Sequence, residues 1–184
     1  TRNGNDKARQ FPEIVAALVR LAQAAGRSFI VDGEIVALVK NAPARFQSLQ
    51  GRMHLKNDQE ILAQMRVLPS ALMAFDLLRD GTRSLLGAPW TERRRELQAL
   101  LRDSSDALGD DARIVKRHIR LAPSTRSNGA AMVARAHRDG WEGIIAKRVT
   151  ASLDEVAGAA KQATTPPRKI VVARTAQRTA AAAE

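Results

Sequence analysis

The chain has 184 residues, with Lys+Arg 30 against Asp+Glu 19 and a formal net charge of +11. Hydrophobic residues make up 45% and Cys is absent, so a core can be buried without any disulfide, zinc ribbon or thiol nucleophile. No apolar run approaches the roughly 20 residues that span a bilayer, and the positive excess points to a polyanionic partner.

Residues 10–26 carry Phe11, Ile14, Val15, Leu18, Val19 and Ala22 at helical spacing, with Pro12 suited to a first turn and Gly26 to a C-terminal cap. Residues 28–38 are rich in β-branched side chains and predict a strand. Alternation puts Asp32, Glu34 and Val36 on one face and Val31, Gly33 and Ile35 on the other. Residues 45–54 and 58–66 predict short helices. Residues 71–78 predict a second strand, ended by the Asp80-Gly81 turn. Thr91 is the expected cap of a helix through Leu101, with Leu97, Leu100 and Leu101 inward and Arg93, Arg94 and Arg95 spread around it. Residues 113–122 predict a strand, Ser127 is expected to cap a helix ending near Gly140, and residues 142–148 predict a last strand. Strands interleaved with helices indicate a mixed α/β or α+β domain. After Arg148 the composition turns to Ala, Thr, Gln, Lys and Arg with no aromatic residue, which predicts a tail, residues 149–184, with little to bury.

Two carboxylate motifs stand out, Asp32-Gly33-Glu34 and Glu142-Gly143. Unpaired charge on a buried strand is costly, so these groups are expected to face a cleft with cationic partners. A carboxylate pair on neighbouring strands can hold a hard divalent cation or a ribose hydroxyl, and the glycines let a ligand approach the backbone. The plain alternative is a cross-strand ion pair with Lys147 or Arg148. Phe75 offers a flat face to a nucleobase, although burial in the core is the commoner fate of a Phe. His54, His118 and His137 lack metal-site spacing. Basic residues cluster at 93–95, at Arg113, Lys116, Arg117 and Arg120, and at Lys147-Arg148; most such charges are solvated, but their sum favours phosphate binding. No Walker loop or dinucleotide fingerprint is present.

Four segments in order resemble the nucleotidyltransferase domain of ATP-dependent DNA ligases, in particular the bacterial end-joining ligases of the DNA ligase D type. Residues 1–6 with 10–14 resemble motif Ia and its helix, and residues 29–36 resemble motif III, followed by a similar stretch at 44–50. Residues 74–78 with Asp80-Gly81 resemble motif IIIa, and residues 141–148 resemble motif IV. The resemblance covers residues 1–148. It implies an incomplete α+β domain of the ATP-grasp-like ligase type, and the composition of residues 149–184 adds the expectation of a disordered C-terminal tail. It further implies ATP and Mg²⁺ as cofactors, with Glu34 and Glu142 toward ribose and metal, Phe75 stacked on adenine, Arg2 on phosphate, and Lys147 as a basic position of the nucleotide site.

The implied reaction has three phosphoryl transfers: a lysine amine displaces pyrophosphate from ATP, AMP passes to a DNA 5′-phosphate, and a 3′-hydroxyl then displaces AMP. The partner is then nicked or broken double-stranded DNA, met in the bacterial cytoplasm and nucleoid without a membrane, alongside end-joining proteins and with the ligase as a monomer. The nucleophile belongs to a Lys-x-Asp-Gly motif, yet the residues two before Asp32, Asp80 and Asp139 are Ile30, Leu78 and His137. Motif V, a Lys-x-Lys, is likewise not found. With Thr1 rather than Met at the first position, the expectation is a truncated ligase sequence that does not self-adenylate. The alternatives are a non-catalytic DNA-binding remnant and another covalent nucleotidyltransferase such as an RNA ligase.

Overall fold

The structure is a computed structural model that describes residues 5–44, 46–139, 141, 143–153 and 180–181. Helix α1 (Pro12–Ala25) starts with Pro12 in its first turn and ends at Gly26, whose φ of 65° is the left-handed cap that glycine adopts freely. Strand β1 (Phe29–Val39) folds back through β2 (Ala42–Pro43). A 3-10 turn at Phe46–Leu49 runs into α2 (Gln50–Met53), and α3 (Asp58–Val67) follows, capped by the Asn57 side chain on the backbone N–H groups of Gln59 and Glu60. Strand β3 (Ser70–Asp80) turns at Gly81 into β4 (Arg83–Ser84). Helices α4 (Trp90–Ala107) and α5 (Ala112–His118), strand β5 (Ile119–Leu121), helix α6 (Gly129–Arg138) and strands β6 (Gly143–Ile144) and β7 (Ala180–Ala181) complete the described elements.

The main sheet runs β2-β1-β3-β4, antiparallel throughout, and β5 joins the outer edge of β3 in parallel. This is the mixed helix-and-sheet architecture that the sequence predicts. Phe11, just before α1, and Ile14, Ala17 and Leu21 of α1 bury in one cluster with Ala37, Leu72, Val115 and Ile119. A second cluster joins Ala74 and Leu77 of β3 to Leu85 and to Leu97 and Leu100 of α4. The apolar stripes at helical spacing thus supply the core, as the non-directional hydrophobic term requires.

Several predicted elements take different forms. Residues 113–122 are mostly helix: the buried residues Val115, His118 and Ile119 recur at three- and four-residue spacing, and only 119–121 extend into a strand. Thr91 does not cap α4, which begins one residue earlier behind Pro89, whose carbonyl accepts the N–H groups of Glu92 and Arg93. Asn128, not Ser127, caps α6 by accepting the Ala131 N–H at 2.9 Å. The last strand shrinks to Gly143–Ile144, because the segment beyond bonds to α4 instead: Thr91 N–H donates to Val149 O and Trp90 N–H to Ala151 O. Ala151 is buried, so packed chain continues past the composition change at Arg148. The expected disordered tail lies largely outside the described residues.

Gly33 has a role that motif reading does not give it. A Cβ there would stand 2.7 Å from the Met73 carbonyl oxygen and 2.8 Å from Leu72 Cδ1. The close approach this glycine serves is that of the neighbouring strand.

A buried polar knot ties α1, α2 and β3 together. Arg52 donates to both oxygens of Glu13, at 2.7 and 2.5 Å, and Ser70 donates to Glu13 through its N–H at 3.1 Å and its hydroxyl at 2.7 Å. The Arg52 guanidinium also lies 4.9 Å from the centroid of Phe11 and donates to the Gln10 carbonyl. His118 places Nδ1 2.6 Å from the Ser70 carbonyl, which fixes this nitrogen as the donor. Burial alone would push the Glu13 carboxyl up, but the bonds from Arg52 and Ser70 outweigh it and hold the group below the usual range. A depressed carboxyl pKa contributes stability above the ordinary value of about 4.3, and that contribution is lost as pH falls through the lower folded value. Glu13→Gln should therefore cost about 3–5 kcal/mol at neutral pH by leaving Arg52 buried without its counter-charge. Urea denaturation should show that penalty shrinking as the pH is lowered below 4.

Candidate functional site

The site is built on the pairing of β1 with β3. Asp32 stands opposite Asp76, and Glu34 opposite Met73. The register slips between Ile30 and Val31 and again between Asp32 and Gly33, so Leu78 and Phe75 are extra residues on β3. A bulge of this kind turns consecutive side chains toward the same side and sharpens the local twist. Phe75 and Asp76 accordingly meet one cation. Lys147 Nζ lies 4.9 Å from the Phe75 ring centroid and 3.4 Å from Asp76 Oδ2.

The Lys147 ammonium is itself enclosed. Its side chain is 7% exposed, and the Trp90 ring centroid lies 5.9 Å from Nζ. Burial lowers the Lys147 pKa, while the charge of Asp76 and its hydrogen bond partly restore it. Asp76 is fully buried and accepts two bonds from Arg93, Nε to Oδ1 at 2.8 Å and Nη2 to Oδ2 at 3.0 Å. Such a fork-on-fork pair is the strong form of ionic hydrogen bond. One carboxylate thus faces two cations, and the compensating charge nearby is Asp32.

Asp32 is half-buried, accepts the Gly33 N–H at 2.9 Å, and has its pKa raised by burial and by Asp76 against the pull of Gly33 and Lys147. A raised carboxyl pKa means that the native state gives up stability as pH climbs through the folded value, having been fully favoured below the ordinary one. A carboxyl whose charged form burial disfavours is a candidate functional position. Glu34 is exposed on the same strand and finds no ion-pair partner among the described residues.

Of the residues that the sequence nominated, Phe75 and Lys147 are brought into contact and Glu34 lies on the adjoining strand, whereas Arg2 and Glu142 lie outside the described residues. Asp76, Arg93 and Trp90 were not nominated. Their signals were present: Asp76 is the single carboxylate within the apolar run 71–78, and Arg93 stands four residues before Leu97 and seven before Leu100, on the inward face of α4. Arg93 and Arg94 are buried in place of the solvated surface expected for the Arg93–Arg95 run.

Among the described residues no group of three His, Asp or Glu is placed to hold a metal ion. Asp76 is saturated by Arg93 and Lys147. The oxygen donors left to a hard cation by the described part of the site are the carboxylates of Asp32 and the exposed Glu34, whose chemistry suits Mg²⁺. No helix of the described residues is long and apolar enough to cross a membrane.

The model of the ATP-dependent DNA ligase domain matches residues 1–155. The chain belongs to this family. A probable DNA ligase of Streptomyces avermitilis is 31% identical over 152 residues, which is 82% of this chain and 27% of the relative. DNA ligase C of Mycobacterium tuberculosis is 32% identical over 149 residues, 80% of this chain and 38% of the relative. Mycobacterial DNA ligase D solved with ATP and MES superposes with a TM-score of 0.57 at 26% identity, covering 83% of this chain and 41% of that one. The ligase domain of M. tuberculosis LigD gives the same values. This ligase-family chain therefore spans well under half the length of these relatives.

In this ligase fold, Asp32→Asn should remove a charge that the protein holds at a cost. Denaturation measured from pH 4 to neutrality should show wild-type stability declining relative to the variant as pH rises through the raised Asp32 value. Parallel curves would show that Asp32 is solvated and indifferent.

Proposed function

We propose that this chain carries part of the nucleotide site of an ATP-dependent DNA ligase and binds ATP with its adenine against Phe75. The observation that carries this reading is the Phe75 ring set on a strand bulge, half-buried, beside a sequestered ammonium and within a family defined by ATP-dependent ligation. An aromatic face is the natural platform for a purine, and a bulge holds it in one orientation.

The remaining roles follow the chemistry of each group. Glu34 and Glu142 offer oxygens to a ribose hydroxyl or to Mg²⁺, and Arg2 offers a guanidinium to phosphate. The metal, when bound, neutralises charge on the polyphosphate. Around it, Phe75 orients the base, and Asp32 and Asp76 hold the cations of the site in place. The net charge of +11 favours a polyanion, and the family makes nicked or broken DNA the proposed partner, with affinity falling as salt rises. Sealing of nicks, repair, end joining and work as a monomer are proposed for the whole protein.

No Lys stands two residues before an Asp-Gly in these 184 residues. The amine that would form a P–N bond to the α-phosphate and release pyrophosphate is thus not supplied in its motif. We accordingly propose that this polypeptide by itself binds ATP without becoming adenylylated.

Thermal melts with and without Mg-ATP test the reading. ATP at 100 times its dissociation constant should add about 2.7 kcal/mol to stability and raise the melting temperature, and Phe75→Ala should abolish most of that rise. Incubation with α-labelled ATP should leave the protein unlabelled. DNA binding with no effect of ATP on the melt would instead favour a non-catalytic DNA-binding remnant, and a Lys–AMP adduct would overturn the self-adenylation claim.

A further inference from the structure

The outer edge of β3 is paired with β5 at Leu72–Ala74 and with β4 at Arg79–Asp80, which leaves residues 75–78 between two strand partners. This gap coincides with the Phe75 bulge. Helix α4 fills it with arginine. Arg94 donates to the carbonyls of Ala74 at 3.4 Å, of Phe75 at 3.5 Å and of Ala122. Arg93 grips Asp76 with two nitrogens, and its Nη1 donates to the Ala88 carbonyl at 2.6 Å and to the Ala151 carbonyl at 3.3 Å.

One guanidinium therefore touches three stretches of chain: the bulge at Asp76, the loop before α4 at Ala88, and the last packed segment at Ala151. That last segment carries Lys147, and its other ties run to the same place, from Trp90 N–H to Ala151 O, Thr91 N–H to Val149 O and Leu153 N–H to Leu86 O. With a side-chain exposure of 0%, Arg93 has no solvent to exchange its partners with.

We infer that Arg93 is a positioning residue for the nucleotide site, setting the segment that bears Lys147 at a fixed distance from the bulge that bears Phe75. The inference rests on the proposed ATP site. Arg93 touches neither the Phe75 ring nor the Lys147 ammonium; it acts through Asp76, which it shares with Lys147, and through the Ala151 carbonyl. A lysine in its place keeps the charge but not the planar fork that reaches a carboxylate and two carbonyls at once.

The indole of Trp90 offers a readout independent of ATP. Its Nε1 is buried with no hydrogen-bond partner among the described residues, and its ring lies 5.9 Å from Lys147 Nζ. The Trp90 indole N–H resonance of the ¹⁵N-labelled full chain, assigned with Trp141→Phe, therefore reports where Lys147 sits. Three variants are compared: Arg93→Lys; the double variant Asp76→Asn with Arg93→Gln, which removes both buried charges and keeps the fold accessible; and Lys147→Met as the reference for a displaced ammonium.

The expected result is that folded Arg93→Lys and the double variant move the Trp90 resonance the way Lys147→Met does. They should also weaken ATP binding by about tenfold to a hundredfold, as a misplaced group at a site does. If both variants melt lower but leave the Trp90 resonance and the ATP dissociation constant of the folded protein unchanged, Arg93 serves only the fold and the inference is overturned. If wild type itself ignores ATP, the nucleotide reading fails, and the Trp90 resonance alone decides whether Arg93 sets the position of Lys147.

Discussion

A carboxylate in the middle of an apolar strand has to be answered by a cation, and in this protein the answer organises everything around it. Asp76 is fully buried between Ala74 and Leu77, which both belong to the core. Leaving it unpaired would cost several kcal/mol or force a proton onto it. Arg93 meets the demand from α4, and so the helix is pinned to the strand at the point where the strand departs from regular pairing. The same interaction brings the last packed segment onto the start of α4, because the guanidinium has donors left after the carboxylate is satisfied.

The knot of Glu13, Arg52 and Ser70 is the counterpart at the other end of the sheet. Each knot contains a two-nitrogen arginine grip on a carboxylate: Arg93 ties α4 to β3 directly, whereas Arg52 ties α2 to α1 and Ser70 brings β3 in by donating to the same Glu13. They differ in what surrounds them. The Glu13 carboxylate is answered by one arginine and by neutral donors, and nothing in its surroundings invites a ligand. Around Asp76 there are two cations, a second carboxylate at Asp32, and two aromatic rings. Buried charge that is merely structural needs one partner; here the surplus of partners lies beside a half-buried ring.

Much of this was legible in the amino-acid order. Alternation in β1 put Asp32 and Glu34 on one face, and the structure keeps them on one strand beside β3, with the odd-numbered Phe29, Val31 and Ile35 packed on the core. Helical periodicity found α1 and the inward leucines of α4. What misled was composition without period: Ile114-Val115 and Ile119 look like a strand by residue type, yet burial at Val115, His118 and Ile119 follows the helical repeat. The bulge at Phe75 was beyond reach, because a register slip depends on the facing strand and leaves no mark in its own residues. The Arg93–Arg95 run illustrates a softer limit. Arginine type argues for solvent, whereas the position of Arg93 on the stripe of Leu97 and Leu100 argues for burial, and position prevailed because a buried carboxylate was waiting there.

The sequestered Lys147 shows how the electrostatics of such a site differ from those of a surface clamp. An exposed lysine reaches for phosphate on a flexible stem and is screened within about 8 Å at physiological salt. Lys147 has surrendered that freedom: Asp76 holds its ammonium and two rings flank it. A cation fixed in this way acts on a ligand through the field it sets and through the ring it holds in place, both present before the ligand arrives. Burial also makes its proton easier to lose than that of a solvated lysine, and the carboxylates of Asp76 and Asp32 pull the other way. The cluster sets the carboxylates of Asp76 and Asp32 against Lys147, Arg93 and the buried Arg94 beside the bulge. Burial disfavours the charged forms of Asp32 and Lys147 alike, and each of the two opposes that cost for the other. Neutralising Asp32 would remove one of the two carboxylates that favour the Lys147 ammonium beside the Phe75 ring.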